Sequence, residues 1–175
     1  MATQALMPVE EYLCKSFERE PEYRDGVLEE RSMPEGIHAL LQFFLGYALG
    51  PLAIAGKLSV CPELRVQLRK GRFVMPDVSI YPGRLPTSVP DTPALAVIEV
   101  LSNDDSLSTV LAKLEEYQQW GVPNIWVVNP GQRALYIFDQ SGLRRASAFT
   151  LPEFGFSLTQ AELFSQADAL RPLDD

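Results

Sequence analysis

Residues 95–101 read Leu-Ala-Val-Ile-Glu-Val-Leu, an apolar run that a single charged residue, Glu99, interrupts. Apolar side chains occupy both alternating sets of positions, which is typical of a strand that is covered on both faces. A carboxylate inside such a strand costs free energy unless a metal ion or an opposite charge compensates it. The run therefore predicts a central strand with Glu99 as a candidate metal ligand, and a buried ion pair with one arginine is the alternative.

The residues after this run predict a helix and a second, parallel strand. Asp104-Asp105-Ser106 is typical of a helix start, because these side chains cap the first-turn amides and complement the helix dipole. An apolar stripe at helical spacing follows and ends at Gly121. Residues 125–128 are apolar again, so we expect residues 95–128 to form a βαβ crossover with two parallel strands.

The rest of the chain predicts shorter elements around this unit. They are a helix over 5–20, a strand over 27–33, a buried helix over 37–49, strands over 58–68 and 73–81, a hairpin from 135 that turns at 141–142, and a last strand with a short helix. Pro21 is expected to end the first helix and Gly50-Pro51 the second, since proline cannot donate a helical hydrogen bond.

Composition and charge narrow the class of protein. With 175 residues, of which 46 % are hydrophobic, the chain suits one globular domain with a substantial core. No membrane-spanning segment and no secretory signal are expected, and two cysteines are too few for a disulfide framework, so we expect a cytoplasmic protein. The net charge of −8 argues against nucleic-acid binding by bulk charge. It does not exclude a metal-dependent nuclease, because bound Mg²⁺ reverses the local sign of the charge.

Asp77 and Lys113 complete a candidate catalytic site around Glu99. Asp77 follows a proline at a predicted strand start, and carboxylate oxygens are the ligands that Mg²⁺ prefers. The backbone carbonyl of Val100 could face the same ion. Lys113 can extend back along its helix toward Glu99, where an ammonium would orient water or offset developing charge. A turn cap for Asp77 and a surface role for Lys113 are the alternatives.

Basic residues cluster just before Asp77 and could contact the phosphates that flank a scissile one. They are Arg65, Arg69, Lys70 and Arg72. A solvated hairpin tip is an equally good interpretation of this cluster. The only histidine, His38, stands in the predicted buried helix and excludes zinc motifs that need two histidines.

Several motifs occur in the order of a known family. They are Glu22-Tyr23-Arg24-x-Gly26, His38, Cys61 ahead of Leu64-Arg65-Val66, Pro76-Asp77-Val78, Ile98-Glu99-Val100-Leu101-Ser102, Lys113-x-x-x-Tyr117, Gly121-Val122-Pro123 and Trp126-Val127-Val128. In this order they resemble the Uma-type restriction-endonuclease family, which has the PD-(D/E)XK nuclease fold. The similarity extends from about Pro8 to Phe164.

The resemblance implies a fold and a set of site residues. The fold would be α/β (α+β), a restriction-endonuclease-like mixed central sheet flanked by helices, in a single domain over residues 1–175 with a core at about 8–164. Asp77, Glu99 and Val100 would hold Mg²⁺ or Mn²⁺, and Lys113 would replace the motif lysine, whose usual position Leu101 occupies. The resemblance also places Glu22, His38 and Tyr117 at the site.

Two residue patterns depart from the family. Ser102-Asn103-Asp104 stands where the family has Ser-Pro-Ser, and Thr109 stands where it has an acid one turn before the lysine.

The leading hypothesis is a magnesium-dependent endonuclease that hydrolyses DNA phosphodiester bonds. It would work as a homodimer, since cutting two strands takes two sites. The alternative is a catalytically silent nuclease-fold module for binding or assembly. A carboxylate-pair hydrolase with another substrate is a third option.

Overall fold

A mixed six-stranded sheet forms the centre of the computed structural model, which describes residues 6–31 and 36–170. Elements are numbered along the chain, and the strands of this sheet are β3 (Leu58–Pro62), β6 (Val78–Pro82), β7 (Ala96–Val100), β8 (Asn124–Asn129), β9 (Ala134–Asp139) and β10 (Gly142–Ala146). Their spatial order is β10-β9-β8-β7-β6-β3. Strands β7 and β8 pair in parallel, whereas the other neighbours pair antiparallel.

The predicted βαβ crossover is confirmed. Helix α3 (Leu107–Trp120) connects β7 to β8, and its N-cap Ser106 accepts a hydrogen bond from the Thr109 amide. The helix ends at Gly121, whose φ of 102° lies in the left-handed region that favours glycine. Both faces of β7 are buried, as the apolar run predicts.

Alternation along β7 divides the core into two layers. Ala96, Ile98 and Val100 pack toward helices α2 (Gly36–Ile54) and α4 (Gln160–Asp168) and toward the hairpin of β11 (Ala148–Leu151) and β12 (Phe156–Thr159). Val97 packs with α3 on the opposite face. Glu99 has the parity of Val97 and therefore points to the α3 side of the sheet.

A second, four-stranded antiparallel sheet lies beside the site. Its strands are β1 (Glu22–Arg24), β2 (Val27–Glu29), β4 (Val66–Arg69) and β5 (Arg72–Val74), in the order β2-β1-β5-β4. The single strands predicted over 58–68 and 73–81 are wrong, because each divides between the two sheets. Glu63 turns the first with a φ of 47°. Pro76 interrupts the second because it has no amide proton to donate to a ladder.

The predicted helix ends also need correction. Helix α1 covers only Val9–Cys14, within the predicted 5–20, of which residue 5 lies outside the described residues. Helix α2 does not stop at Gly50-Pro51 but continues to Ile54, since the proline is on the exposed side, where water can bond the freed carbonyl. The strand predicted over 27–33 ends at Glu29 as β2, and residues 32 and 33 lie outside the described residues.

Helix α2 combines a buried face with an exposed apolar face. Among the described residues it is the one helix long and apolar enough, by length and composition alone, to cross a membrane, a test that the core helix of a globular protein also passes. The expectation of no membrane-spanning segment stays a prediction. The residues that interrupt the apolar run of α2 include no Asp, Glu, Lys or Arg, and they do not break the helix. Leu41, Leu45 and Leu49 nevertheless pack in the core, while Phe43 and Tyr47 face outward with their rings stacked.

Candidate active site

A cleft of about 630 Å³ opens on the α3 side of the sheet, at the point where β7 ends. Residues of both sheets, α2 and α3 line it. The residues of this cleft that the sequence singled out are Glu22, His38, Arg72, Asp77, Glu99, Val100, Thr109 and Lys113. The structure thus brings together side chains that lie up to 91 positions apart in the sequence.

Asp77 lies opposite Glu99 on neighbouring strands. Val78 pairs with Ile98 in the antiparallel register. Asp77, which precedes Val78, therefore faces Glu99, which follows Ile98. Oδ2 of Asp77 accepts a hydrogen bond from the Val100 amide at 2.7 Å, and Oδ1 lies 3.2 Å from Nε2 of His38. Burial alone would raise the pKa of Asp77, but the hydrogen bond and charge of His38 outweigh it and hold that pKa below its usual value.

Glu99 is a buried carboxylate with insufficient positive charge around it. Its side chain is 12 % exposed, its Oε1 accepts a hydrogen bond from the Tyr117 hydroxyl at 2.5 Å, and Nζ of Lys113 is 3.1 Å away. Burial raises the pKa of Glu99 to about 7, with Asp77 adding to the rise and Lys113 opposing it. An anion in this condition gains from a further cation nearby.

Lys113 is shared by two carboxylates from different sheets. Its Nζ lies 2.8 Å from Oε1 of Glu22 and 3.1 Å from Oε1 of Glu99. Burial would lower the pKa of Lys113, but Glu22, Glu99 and Asp77 together raise it, so the ammonium stays charged. The expectation that Lys113 reaches from the helix to the end of the Glu99 strand agrees with this geometry.

Arg72 is the centre of a network of ion pairs behind Lys113. It is only 2 % exposed, and its guanidinium contacts Glu22 at 3.0 Å, Glu29 at 2.9 Å and Glu116 at 2.9 Å. Arg24 contacts Glu116 at 2.6 Å and Glu29 at 2.7 Å. Carboxylates therefore already engage the donors of Arg72, for which the sequence suggested a phosphate contact.

The other three predicted phosphate contacts lie outside the cleft. Arg65 pairs with Glu20 at 2.5 Å and stacks on the Tyr12 ring, and Arg69 pairs with Asp25 at 2.7 Å. Lys70 is exposed at the β4–β5 turn. The separation arises because the chain leaves the central sheet after β3, so this turn belongs to the small sheet.

The donor set of the cleft fits a hard divalent cation. No group of three His, Cys, Asp or Glu side chains able to hold a metal occurs among residues 6–31 and 36–170. A cation would rest on Asp77 and Glu99, a backbone carbonyl and water, which is a usual set for Mg²⁺. The lining, as far as the structure describes it, has six carboxylates against four Arg and Lys side chains and His38, an excess of negative charge that a divalent cation would reduce.

Sequence reasoning assigned no site role to Glu29, Arg31 and Glu116, or to Arg24, which it named only within a family motif. A signal existed for Glu116, which lies one helical turn after Lys113 on the same side of α3. The strand pairing of Glu22 with Glu29 also indicates a shared location, but only once the β1–β2 hairpin is known. Arg31 carries no local signal that separates it from other charged residues near a turn.

Comparisons with solved structures and with family models find proteins that this chain is similar to. A crystal structure of a putative nuclease belonging to DUF820 from Anabaena variabilis ATCC 29413 is similar with a TM-score of 0.78 and 20 % identity, over 90 % of this chain and 97 % of that one. The DrdV–DNA complex matches with a TM-score of 0.37 and 15 % identity, over 79 % of this chain and 14 % of that one. No curated protein matches. The Uma2 family model, described as "Putative restriction endonuclease", matches residues 9–168, and the chain therefore belongs to the Uma2 family.

Proposed function

We propose that this protein is an endonuclease that hydrolyses DNA phosphodiester bonds with Mg²⁺ or Mn²⁺ as its cofactor. The observation that carries the proposal is that Asp77, Glu99 and Lys113 lie in one cleft. Two carboxylates and an ammonium in this arrangement suit phosphodiester hydrolysis, in which negative charge increases on the phosphate oxygens. Membership of the Uma2 family supports the same chemistry.

The carboxylates would seat the cation. Asp77 and Glu99, together with the carbonyl of Val100, would hold it, and the bound cation supplies Lewis acidity toward a phosphate oxygen and an activated water. The Tyr117 hydroxyl fixes the rotamer of Glu99 through Oε1. The Val100 amide does the same for Asp77 through Oδ2.

Lys113 would act on the reacting groups rather than on the cation. Its ammonium is held by Glu22 and Glu99 at the wall of the cleft, where it can orient a water molecule or offset charge on the phosphate. We therefore expect Lys113→Ala to lose at least about 10²-fold in cleavage rate, a typical loss when one stabilising donor is removed. Metal affinity should persist, because both carboxylates remain.

The experiment compares metal binding with cleavage. Wild type, Lys113→Ala, Lys113→Arg and the exposed control Lys57→Ala are titrated with Mn²⁺ in a calorimeter. They are then assayed at low salt on double-stranded DNA, single-stranded DNA and RNA. Lys113→Arg should not recover the full rate, since a planar guanidinium does not replace a compact ammonium. Intact metal binding by a wild-type protein that cleaves none of these substrates would refute the proposal.

A catalytically silent binding or assembly module is the second candidate. Thr109 lines the cleft one turn before Lys113 with its hydroxyl hydrogen-bonded to Ser106 at 2.7 Å, so an acid is missing from that wall. The net charge of −8 also disfavours long-range attraction to a polyanion. Weak or absent Mn²⁺ binding would favour this candidate, because a silent module has no need for a competent cation site.

We also propose that the protein is a cytoplasmic homodimer that does not insert into a membrane. Cutting both strands of a duplex takes two sites, which two copies would provide. The exposed face of α2, around Phe43 and Tyr47, lacks full charges in a chain of net charge −8. Two copies would repel each other least across this face.

A further inference from the structure

The basic side chains of the cleft differ in how firmly carboxylates hold them. Among the residues that the structure describes, four arginine and lysine side chains line the cleft: Arg24, Arg31, Arg72 and Lys113. Arg24 has a carboxylate oxygen at 2.6 Å, Lys113 at 2.8 Å and Arg72 at 2.9 Å. A substrate phosphate would compete with a short ion pair for each of these three side chains.

Arg31 has no such short ion pair with any residue of the described ranges 6–31 and 36–170. Its Nη2 atom lies 3.5 Å from Oδ1 of Asp77 and 3.7 Å from Oε1 of Glu63, and both distances exceed the usual range of a hydrogen bond. The side chain is 15 % exposed, so the guanidinium is mostly withdrawn from water. It is thus a cation that is partly desolvated and weakly paired, at the edge of the candidate metal site.

Neutralisation of Asp77 does not account well for Arg31. Asp77 already accepts a hydrogen bond of 2.7 Å from the Val100 amide and has His38 at 3.2 Å. The Arg31 contact is the longest of the three. A guanidinium placed to balance Asp77 would be expected at 2.7–2.9 Å, the distance of a charge-assisted hydrogen bond.

We propose that Arg31 binds a non-bridging oxygen of the phosphate in the substrate. The inference rests on the proposed nuclease function and adds a substrate-contacting residue to it. Guanidinium groups bind phosphate through two parallel hydrogen bonds, and Arg31 can turn toward one without giving up a short contact. A metal ion bound to Asp77 would neutralise its charge and weaken its attraction for Arg31. Metal binding and phosphate binding would therefore both favour an Arg31 side chain that turns from Asp77 toward the phosphate.

The test measures DNA binding separately from cleavage. A short fluorescent duplex is titrated with wild type, Arg31→Gln, Arg31→Lys and the control Arg69→Gln, with Ca²⁺ replacing Mg²⁺ so that binding is followed without hydrolysis. Arg69 is an exposed arginine outside the cleft, paired with Asp25. Arg31→Gln should lose about tenfold or more in affinity, as expected when a hydrogen bond to a charged group is lost.

Salt dependence and stability identify the cause of that loss. Arg31→Gln should flatten the slope of log affinity against log salt by about 0.9, the value of one phosphate contact on a duplex, whereas Arg69→Gln should not. Both Arg31 variants should keep the wild-type melting temperature and should bind Mn²⁺ at least as tightly as wild type. Arg31→Lys should recover only part of the affinity, because lysine keeps the charge but lacks the planar guanidinium that makes two parallel hydrogen bonds to phosphate.

The outcomes distinguish the two proposals. If wild type cleaves DNA and Arg31→Gln binds it with wild-type affinity and salt slope, the inference is overturned and the nuclease function stands. If Arg31→Gln melts early while Arg31→Lys binds DNA normally, Arg31 only balances Asp77 and the inference is again overturned. A wild type that neither binds nor cleaves nucleic acid overturns both.

Discussion

Replacing Glu99 by glutamine should stabilise the metal-free protein above neutral pH and abolish its response to Mg²⁺. Burial raises the pKa of this carboxyl from its ordinary 4.5 to about 7, although Lys113 opposes the rise. Folding therefore disfavours the ionised form. Glutamine keeps the volume of the side chain and resembles the protonated carboxyl, while Lys113 retains Glu22 at 2.8 Å.

The two pKa values set the size of the effect. They differ by about 2.5, and each pKa unit corresponds to 1.36 kcal/mol, so the wild type should lose about 3 kcal/mol relative to Glu99→Gln. Below pH 4.5 the carboxyl is protonated in the folded and the unfolded chain alike, and the two proteins should be equally stable. The difference should develop between pH 4.5 and 7 and stay constant above, because the stability from a raised carboxyl pKa is lost as pH rises through the folded value.

Urea denaturation in EDTA at half-unit steps from pH 4.5 to 8.5 measures this difference. Glu115→Gln is the matched control, since Glu115 is exposed on α3 outside the cleft. Millimolar Mg²⁺ should then raise the midpoint of the wild type and of the control but not that of Glu99→Gln. Parallel pH profiles for wild type and Glu99→Gln would refute the claim that Glu99 is a poorly compensated anion, and equal Mg²⁺ responses would refute its role as a ligand.

Two further predictions concern the ion-pair network and the α2 surface. Arg72→Met should lower the free energy of unfolding by about 3–5 kcal/mol in urea denaturation, because it leaves carboxylates of a buried network unpaired. A loss no larger than that of Arg69→Gln would contradict the structural role of Arg72. Tyr47→Glu should shift a homodimer to monomer in sedimentation equilibrium, whereas Leu107→Glu, at another exposed apolar position, should not; an unchanged mass for Tyr47→Glu would exclude the α2 face as the dimer contact.

The sequence predicts the centre of the fold because its signals there are local. The apolar run around Glu99 fixes a doubly covered strand, and Ser106 and Gly121 mark the ends of the next helix. A helix followed by another apolar run then requires a parallel neighbour. Since Asp77 directly precedes β6, the strand on the other side of β7, its approach to Glu99 also follows from strand order and parity.

The division into two sheets has no comparable signal. Residues 58–68 keep one alternating pattern, although the pairing partner changes from β6 to β5 between Pro62 and Val66. Periodicity indicates which face of a strand is buried, but it does not indicate which sheet the strand belongs to. The location of Arg72 is similarly hidden, because its acidic partners Glu22 and Glu116 lie 50 and 44 positions away. From the sequence, Arg72 is therefore grouped with the basic residues around the predicted hairpin turn.

The position of the lysine on a helix makes the site depend on the small sheet. Leu101 has the parity of Glu99 and packs against the apolar side of α3. A lysine at position 101 would lose the packing that Leu101 makes against α3. With the lysine on the helix instead, Lys113 reaches Glu99 and Leu101 remains in the core. Lys113 gains Glu22 as a second partner, and Arg72 fixes Glu22 at 3.0 Å. Because these contacts join β1, β5 and α3, movement of the small sheet would displace the ammonium from Glu99, so the geometry of the candidate site is coupled to the docking of that sheet.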